Sequence, residues 1–253
     1  MARNFFRTLS AAALALTVAL PTAALALDDK QKEEIGAFIK EYLLENPEIL
    51  LDVQEALQAK QAAAQQVKAE QAIVENEKEI FSSDYDIALG NPEGDVTVVE
   101  FFDYNCGYCK RALTDMDEVL AKDKNVRFVL KELPILGPDS LAAHKVSGAF
   151  RDLAPEKYGE FHRALLGNEG RATEESAIAL AVTLGVSEEA IRKQMEEKPH
   201  DEAVRQAYSL ANSLGITGTP SYVIAKETVF GAIGADTINE KVANVRSCGK
   251  ATC

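Results

Sequence analysis

Histidine and methionine are scarce in this 253-residue chain, with three of each. Beyond the first residue only Met116 and Met195 occur, which excludes a methionine-rich copper site. Cysteine is limited to four residues in two distant pairs, Cys106 with Cys109 and Cys248 with Cys253. A zinc site built on the first pair needs two more ligands at short spacing, and no histidine lies near either pair in sequence. Basic residues are also few: 27 Lys and Arg face 40 Asp and Glu, a net charge of −13. That balance argues against nucleic acid or an anionic membrane as partner.

Long apolar runs are missing except at the start. Arg3 and Arg7 precede an apolar core from Ala11 to Leu20, and Ala24-Leu25-Ala26 supplies an A-x-A cleavage site. This reads as a signal peptide over residues 1–26, too short for a membrane span. Without Arg3 and Arg7 the charge count becomes 25 against 40, a net of −15. Export places the mature chain in an oxidising compartment where cysteines can pair. The bacterial style of the signal points to the periplasm. The remaining 227 of 253 residues suffice for one full domain and an appendage.

What is present centres on Phe101-Phe102-Asp103-Tyr104-Asn105-Cys106-Gly107-Tyr108-Cys109. A strand-like run from Val96 to Glu100 enters it. Ala112, Leu113, Met116, Val119 and Leu120 leave it at helical spacing. Cys106 therefore falls where a helix begins. The first amides of a helix lack internal partners and carry partial positive charge, so the Cys106 thiol should ionise more easily than a free one. Lys110 and Arg111 add positive charge nearby. The expected chemistry is thiol–disulfide exchange, with Cys106 as nucleophile and Cys109 as resolving thiol.

Ahead of this centre, Ile35, Phe38, Ile39, Tyr42 and Leu43 recur as one apolar helical face. Asn46 suits an N-cap and Pro47 a first helical position. From Pro47 to about Phe81 there is no glycine or further proline, which predicts a helix roughly 50 Å long. Residues 27–82 thus form a helical arm. It reads as an oligomerisation stalk with its contact zone at 30–60, the alternative being a solvated helix or linker. Turn residues fill 82–95, with a short strand expected near 85–88 and a domain boundary near 82.

After the centre, Val126 to Leu133 reads as a second strand, completing a right-handed β-α-β unit. Residues 138–213 read as several helices. Ser221–Ala225 and Thr228–Gly231 read as a hairpin turning at Lys226-Glu227, and a last helix starts near Asp236. Gly249 permits a turn that brings Cys248 and Cys253 together, so this pair looks structural; a second redox pair is the alternative. His144, His162 and His200 are isolated, each reading as a residue on a helix face.

The segments Glu100 to Cys109, Lys131-Glu132-Leu133-Pro134-Ile135-Leu136-Gly137 and Gly218-Thr219-Pro220, in this order of elements, resemble the DsbA-type branch of the thioredoxin superfamily. The resemblance covers about residues 84–247. It implies an α/β thioredoxin fold with an inserted helical domain at about 138–213, within a domain spanning 83–253. It also implies that Pro220 is cis and faces the cysteine pair, with Thr219 offering backbone groups to an extended substrate. Glu100 would be a buried acid relaying protons near Cys109; the alternative is a surface strand residue. Gly107-Tyr108 lacks the histidine of the most oxidising members.

Leu43-Leu44-Glu45-Asn46-Pro47-Glu48-Ile49-Leu50 is similar to trimeric ScsC-like (suppressor of copper sensitivity) members, which implies a homo-oligomer and isomerase activity. The expected function is a periplasmic protein disulfide oxidoreductase or isomerase. Its partners would be unfolded or misoxidised exported proteins and a membrane redox partner. No cofactor is expected beyond the Cys106–Cys109 pair itself. The alternative is a copper-binding protein using the reduced dithiol as soft ligands.

Overall fold

The computed structural model describes residues 27–253, so the expected signal peptide lies outside the described residues. The chain divides into two compact units, one ending at Leu57 and one running from Gln58 to Cys253.

In the first unit, α1 (Asp29–Glu45) opens with a capping box in which Asp28 and Gln31 satisfy each other's backbone amides. Asn46 does not cap the next helix as the sequence suggests. Its side-chain amide donates to the Tyr42 carbonyl at 2.9 Å and closes α1 instead. A turn at 47–48 follows, and α2 (Ile49–Glu75) begins two residues later than expected. Ile35, Phe38, Ile39 and Tyr42 form the apolar stripe of α1 and stay exposed, Phe38 by 65%.

The second unit contains the end of α2 and α3 (Glu77–Phe81). The single helix expected to Phe81 breaks at Asn76, whose side chain donates to the Ala72 carbonyl at 2.8 Å. Ile73 and Ile80, on either side of that break, are buried against Val99, Phe101, Val129 and Val223. Among the described residues the five strands are β1 (Ile87–Gly90), β2 (Val96–Phe102), β3 (Val126–Glu132), β4 (Ser221–Ile224) and β5 (Glu227–Phe230). They lie in the order β1-β3-β2-β4-β5. Only β2 and β3 are parallel, as their linking helix α4 (Gly107–Lys122) requires. The first strand lies two residues beyond its expected place and ends at Gly90, whose φ of +88° glycine tolerates. The hairpin turns at Ala225-Lys226, one residue early, with Ala225 at φ +52°.

Both faces of β2 are covered, which explains its nearly continuous apolar sequence. Val98 and Phe102 belong to the cluster shared with α4 and the helical insertion. Val99 and Phe101 face the cluster shared with α9 (Asp201–Ser213). The insertion comprises α5 (Pro138–Leu153), a short 3-10 turn, α6 (Tyr158–Gly167), α7 (Glu174–Thr183), α8 (Glu188–Glu197) and α9. The final helix is α10 (Ala235–Cys248).

The three histidines sit on or beside insertion helices, and all are buried. His144 Nε2 accepts from the Tyr104 amide at 3.4 Å, while its Nδ1 lies 3.3 Å from Glu132. Burial pushes His162 down to about 3, so it is neutral. His200 packs so closely on α5 that a Cβ on Gly148 would lie 2.8 Å from its ring. No described helix is long and apolar enough to cross a membrane.

Candidate active site

β2 delivers the chain to the site and α4 carries it away. Between them, Asp103 to Cys106 forms a tight turn in which the Cys106 amide donates to the Asp103 carbonyl at 3.0 Å. Cys106 occupies the N-cap position of α4, with extended backbone and no side-chain capping bond. Its sulfur therefore lies beside the opening amides of the helix without being fixed as their cap.

The Asp103 carboxylate shapes this turn. It is buried and accepts from the Asn105 amide at 2.8 Å, the Leu136 amide at 2.9 Å and the Ser140 hydroxyl at 2.8 Å. Asn105 extends the tie to the insertion: its side chain donates to the Ala172 carbonyl at 2.9 Å and accepts the Ala172 amide at 2.8 Å. Neither residue has a role that sequence pattern alone assigns. The readable signal was the Asp-x-Asn spacing, which favours a side-chain turn onto the amide two residues on.

Cys106 and Cys109 are both free and have opposite characters. The Cys106 thiol is lowered to about 5, first by the Cys109 side chain, then by Thr219 and the backbone amides of Cys109 and Tyr108. Those amides are the helix-opening donors named from the sequence. Lys110 and Arg111 do not supply the effect. Lys110 bonds the carbonyls of Asn168 and Gly170, and the Arg111 guanidinium stacks 4.3 Å from the Tyr108 ring centre. Cys109 is fully buried, and burial pushes its thiol far above the usual range. At neutral pH the pair therefore holds one sulfur ionised and the other protonated.

Thr219 and Pro220 lie opposite. Their peptide bond is cis, and the Thr219 carbonyl is 3.1 Å from Cys106 Sγ. Cys106 is only 7% exposed, but its neighbours Tyr108, Thr219 and Pro220 line an adjoining groove of about 740 Å³. Arg111, Asp115 and Phe230 complete the groove walls.

Glu100 is 3% exposed, on the β2 face that meets α4, and its carboxyl rises to about 8. Burial is the main cause, followed by the charges of Asp115 and Cys106. Cys248 and Cys253 are joined as a disulfide at the far end of α10. Among the described residues, no group of three or more His, Cys, Asp or Glu side chains is placed to hold a metal ion.

The charge state predicts a titration. The thiolate ultraviolet absorbance of the reduced protein should disappear on acidification with a midpoint near pH 5, and Cys106→Ser should lack it. The unfolded thiol ionises only near pH 8.5. The folded, reduced protein therefore gains stability from this group in full above that pH. The gain fades as pH falls and is gone below about 5. A midpoint near 8.5 would show that the helix amides do not hold the charge.

Comparison with known proteins places this geometry. The DSBA-like thioredoxin domain family matches residues 97–243, and the copper resistance protein ScsC N-terminal domain family matches residues 31–64. A thioredoxin-like oxidoreductase from Silicibacter pomeroyi DSS-3 is 39% identical, with a TM-score of 0.65 over 68% of this chain and 99% of that one. The thiol-disulfide exchange protein alpha-DsbA2 from Wolbachia pipientis is 27% identical, with a TM-score of 0.66 over 72% of this chain and 98% of that one. A curated relative from Salinispora arenicola, Na(+)/H(+) antiporter NhaA 1, is 24% identical over 63% of this chain, which spans only 24% of that relative's length. With its cysteine pair at the head of α4 and the family match running from β2 into α10, the chain belongs to the DSBA-like thioredoxin domain family, whose members include thiol–disulfide oxidoreductases.

Proposed function

We propose that this protein is a periplasmic disulfide oxidoreductase that repairs wrongly paired disulfides in exported proteins, working as a homo-oligomer. The carrying observation is Cys106 at the head of α4, easily ionised and facing the cis Thr219–Pro220 peptide, with a groove beside it. Cys106 attacks a disulfide of a client chain and forms a mixed disulfide. The client then either rearranges or is released when Cys109 attacks Cys106. Thr219 and Pro220 receive the client backbone, and the cysteine pair itself is the redox group.

Isomerase action and the homo-oligomer, a trimer by resemblance, are supported by the ScsC N-terminal match and by the exposed apolar residues of α1 and early α2. Such a face needs a cover in water, and a second copy of the same face provides one. A membrane redox partner would keep the pair in the state the reaction needs.

The test is recovery of activity by a scrambled-disulfide client, with the mass of the protein in solution measured alongside. The full mature chain should assemble and restore the client. The same chain lacking residues 27–57 should be monomeric and oxidise reduced client without repairing scrambled client. Equal behaviour of the two chains would defeat the isomerase reading.

A further inference from the structure

We infer that Tyr222 and Asp115 are positioning residues that pass the Cys109 proton between Glu100 and the groove beside Pro220. The inference rests on the oxidoreductase reading and adds a route to it.

The placement comes from sheet register. Glu100 on β2 and Tyr222 on β4 are directly paired in an antiparallel ladder, so their side chains leave the same face side by side. Both are buried, Tyr222 completely. Glu100 Oε1 and the Tyr222 hydroxyl each have no hydrogen-bond partner among the described residues. Buried polar atoms are nearly always paired, and two unpaired ones on adjacent strands can serve each other through one water. A phenol there is otherwise hard to explain, since phenylalanine fills the same space without a hydroxyl to satisfy.

Asp115 supplies the outlet. It lies on α4, is half-buried, and lines the groove with Pro220 and Thr219. Its charge acts on both Glu100 and Tyr222, and that of Cys109 acts on Tyr222. The remaining charged or titratable neighbour is Cys106. The cross-strand neighbours are apolar: Leu130 beside Glu100 and Val229 beside Tyr222. From α10 the buried residues are Ala235, Ile238 and Val242.

When Cys109 attacks the Cys106–client disulfide, its S–H proton moves to the Glu100 carboxylate. The Cys109–Cys106 bond forms, the Cys106–client bond breaks, and the client leaves as a thiolate. Glu100 then gives its proton to the Tyr222 oxygen as the Tyr222 hydroxyl proton passes on toward Asp115 and the groove. Tyr222 ends unchanged. In the opening direction a client thiolate attacks Cys106, Cys109 leaves as a thiolate, and the proton returns along the same path.

The experiment uses the full mature protein carrying glutathione on Cys106. Release of glutathione by Cys109 is followed by stopped flow from roughly pH 5 to 9, spanning the range in which a carboxyl base of this kind acts. Tyr222→Phe should slow release about 10-fold below pH 8, less than the roughly 100-fold minimum typical of a direct proton-transfer group because Glu100 remains. Its Cys106 titration should be unchanged. Asp115→Asn should lower the plateau rate similarly, and the double variant should be no slower than either single one.

A Tyr222→Phe profile that overlays the parent overturns the inference. So does an Asp115→Asn profile whose midpoint moves down with its plateau intact, because that is the signature of charge alone. Should Tyr222→Phe fail to fold, the Asp115→Asn plateau decides in the same way. A parent that releases glutathione but cannot repair scrambled client defeats the isomerase reading and leaves the route standing.

Discussion

Cys106→Ala should reduce thiol–disulfide exchange to the protein-free background, while Cys109→Ala should keep the first step and accumulate client linked to Cys106. The expectation follows from the charge on Cys106. Lowered to about 5, the thiol is almost wholly ionised at neutral pH. A free thiol near 8.5 is only about 3% ionised at pH 7. That gain in attack is largely offset, because a less basic sulfur is intrinsically a weaker nucleophile. The larger benefit lies in departure: a stabilised thiolate leaves a mixed disulfide readily. Alanine removes both roles, and the buried, protonated Cys109 cannot replace them. Mass spectrometry of acid-trapped reactions reads the two variants separately. Residual exchange by Cys106→Ala, or no trapped adduct with Cys109→Ala, would overturn the assignment of attacking and resolving sulfurs.

Asp103→Ala should cost about 3–5 kcal/mol of stability, from three hydrogen bonds to one buried carboxylate at roughly 1.5–3 kcal/mol each, discounted because they share a site. Alanine leaves the Asn105 and Leu136 amides and the Ser140 hydroxyl without their acceptor. Against a typical total of about 5–15 kcal/mol, that is a large fraction. Asp103→Asn keeps one acceptor oxygen and should lose less. Urea unfolding measures both. A loss below about 1 kcal/mol would show that the turn holds without the carboxylate.

The sequence made the centre of the fold readable and left its surroundings obscure, for a physical reason. β2, α4 and β3 announce themselves by local patterns: α4 by an apolar face at helical spacing, β2 and β3 by short apolar runs buried on both faces. The helix-opening cysteine is local too. The break at Asn76 was hidden because asparagine within a helical composition carries no marker for folding its amide back onto Ala72. The capping role foreseen for Asn46 failed because the same side chain also suits the end of the preceding helix. Asp103, Asn105 and the buried histidines depend on partners dozens of residues away, which periodicity cannot report. Tyr222 read only as a strand residue, since its significance comes from register against Glu100.

β5, one of the two edge strands, has one side without a neighbour in the sheet. Its first residue, Glu227, is fastened by Lys241 at 2.7 Å and by Thr252 at 2.8 Å, while Ala251 is packed into the interior. The disulfide between Cys248 and Cys253 loops this tail back on itself. Open sheet margins recruit other extended chains, and charge placed on them is a common defence. The ties from Lys241 and Thr252 thus hold both chain and charge at the start of that open margin, where another extended chain would otherwise pair.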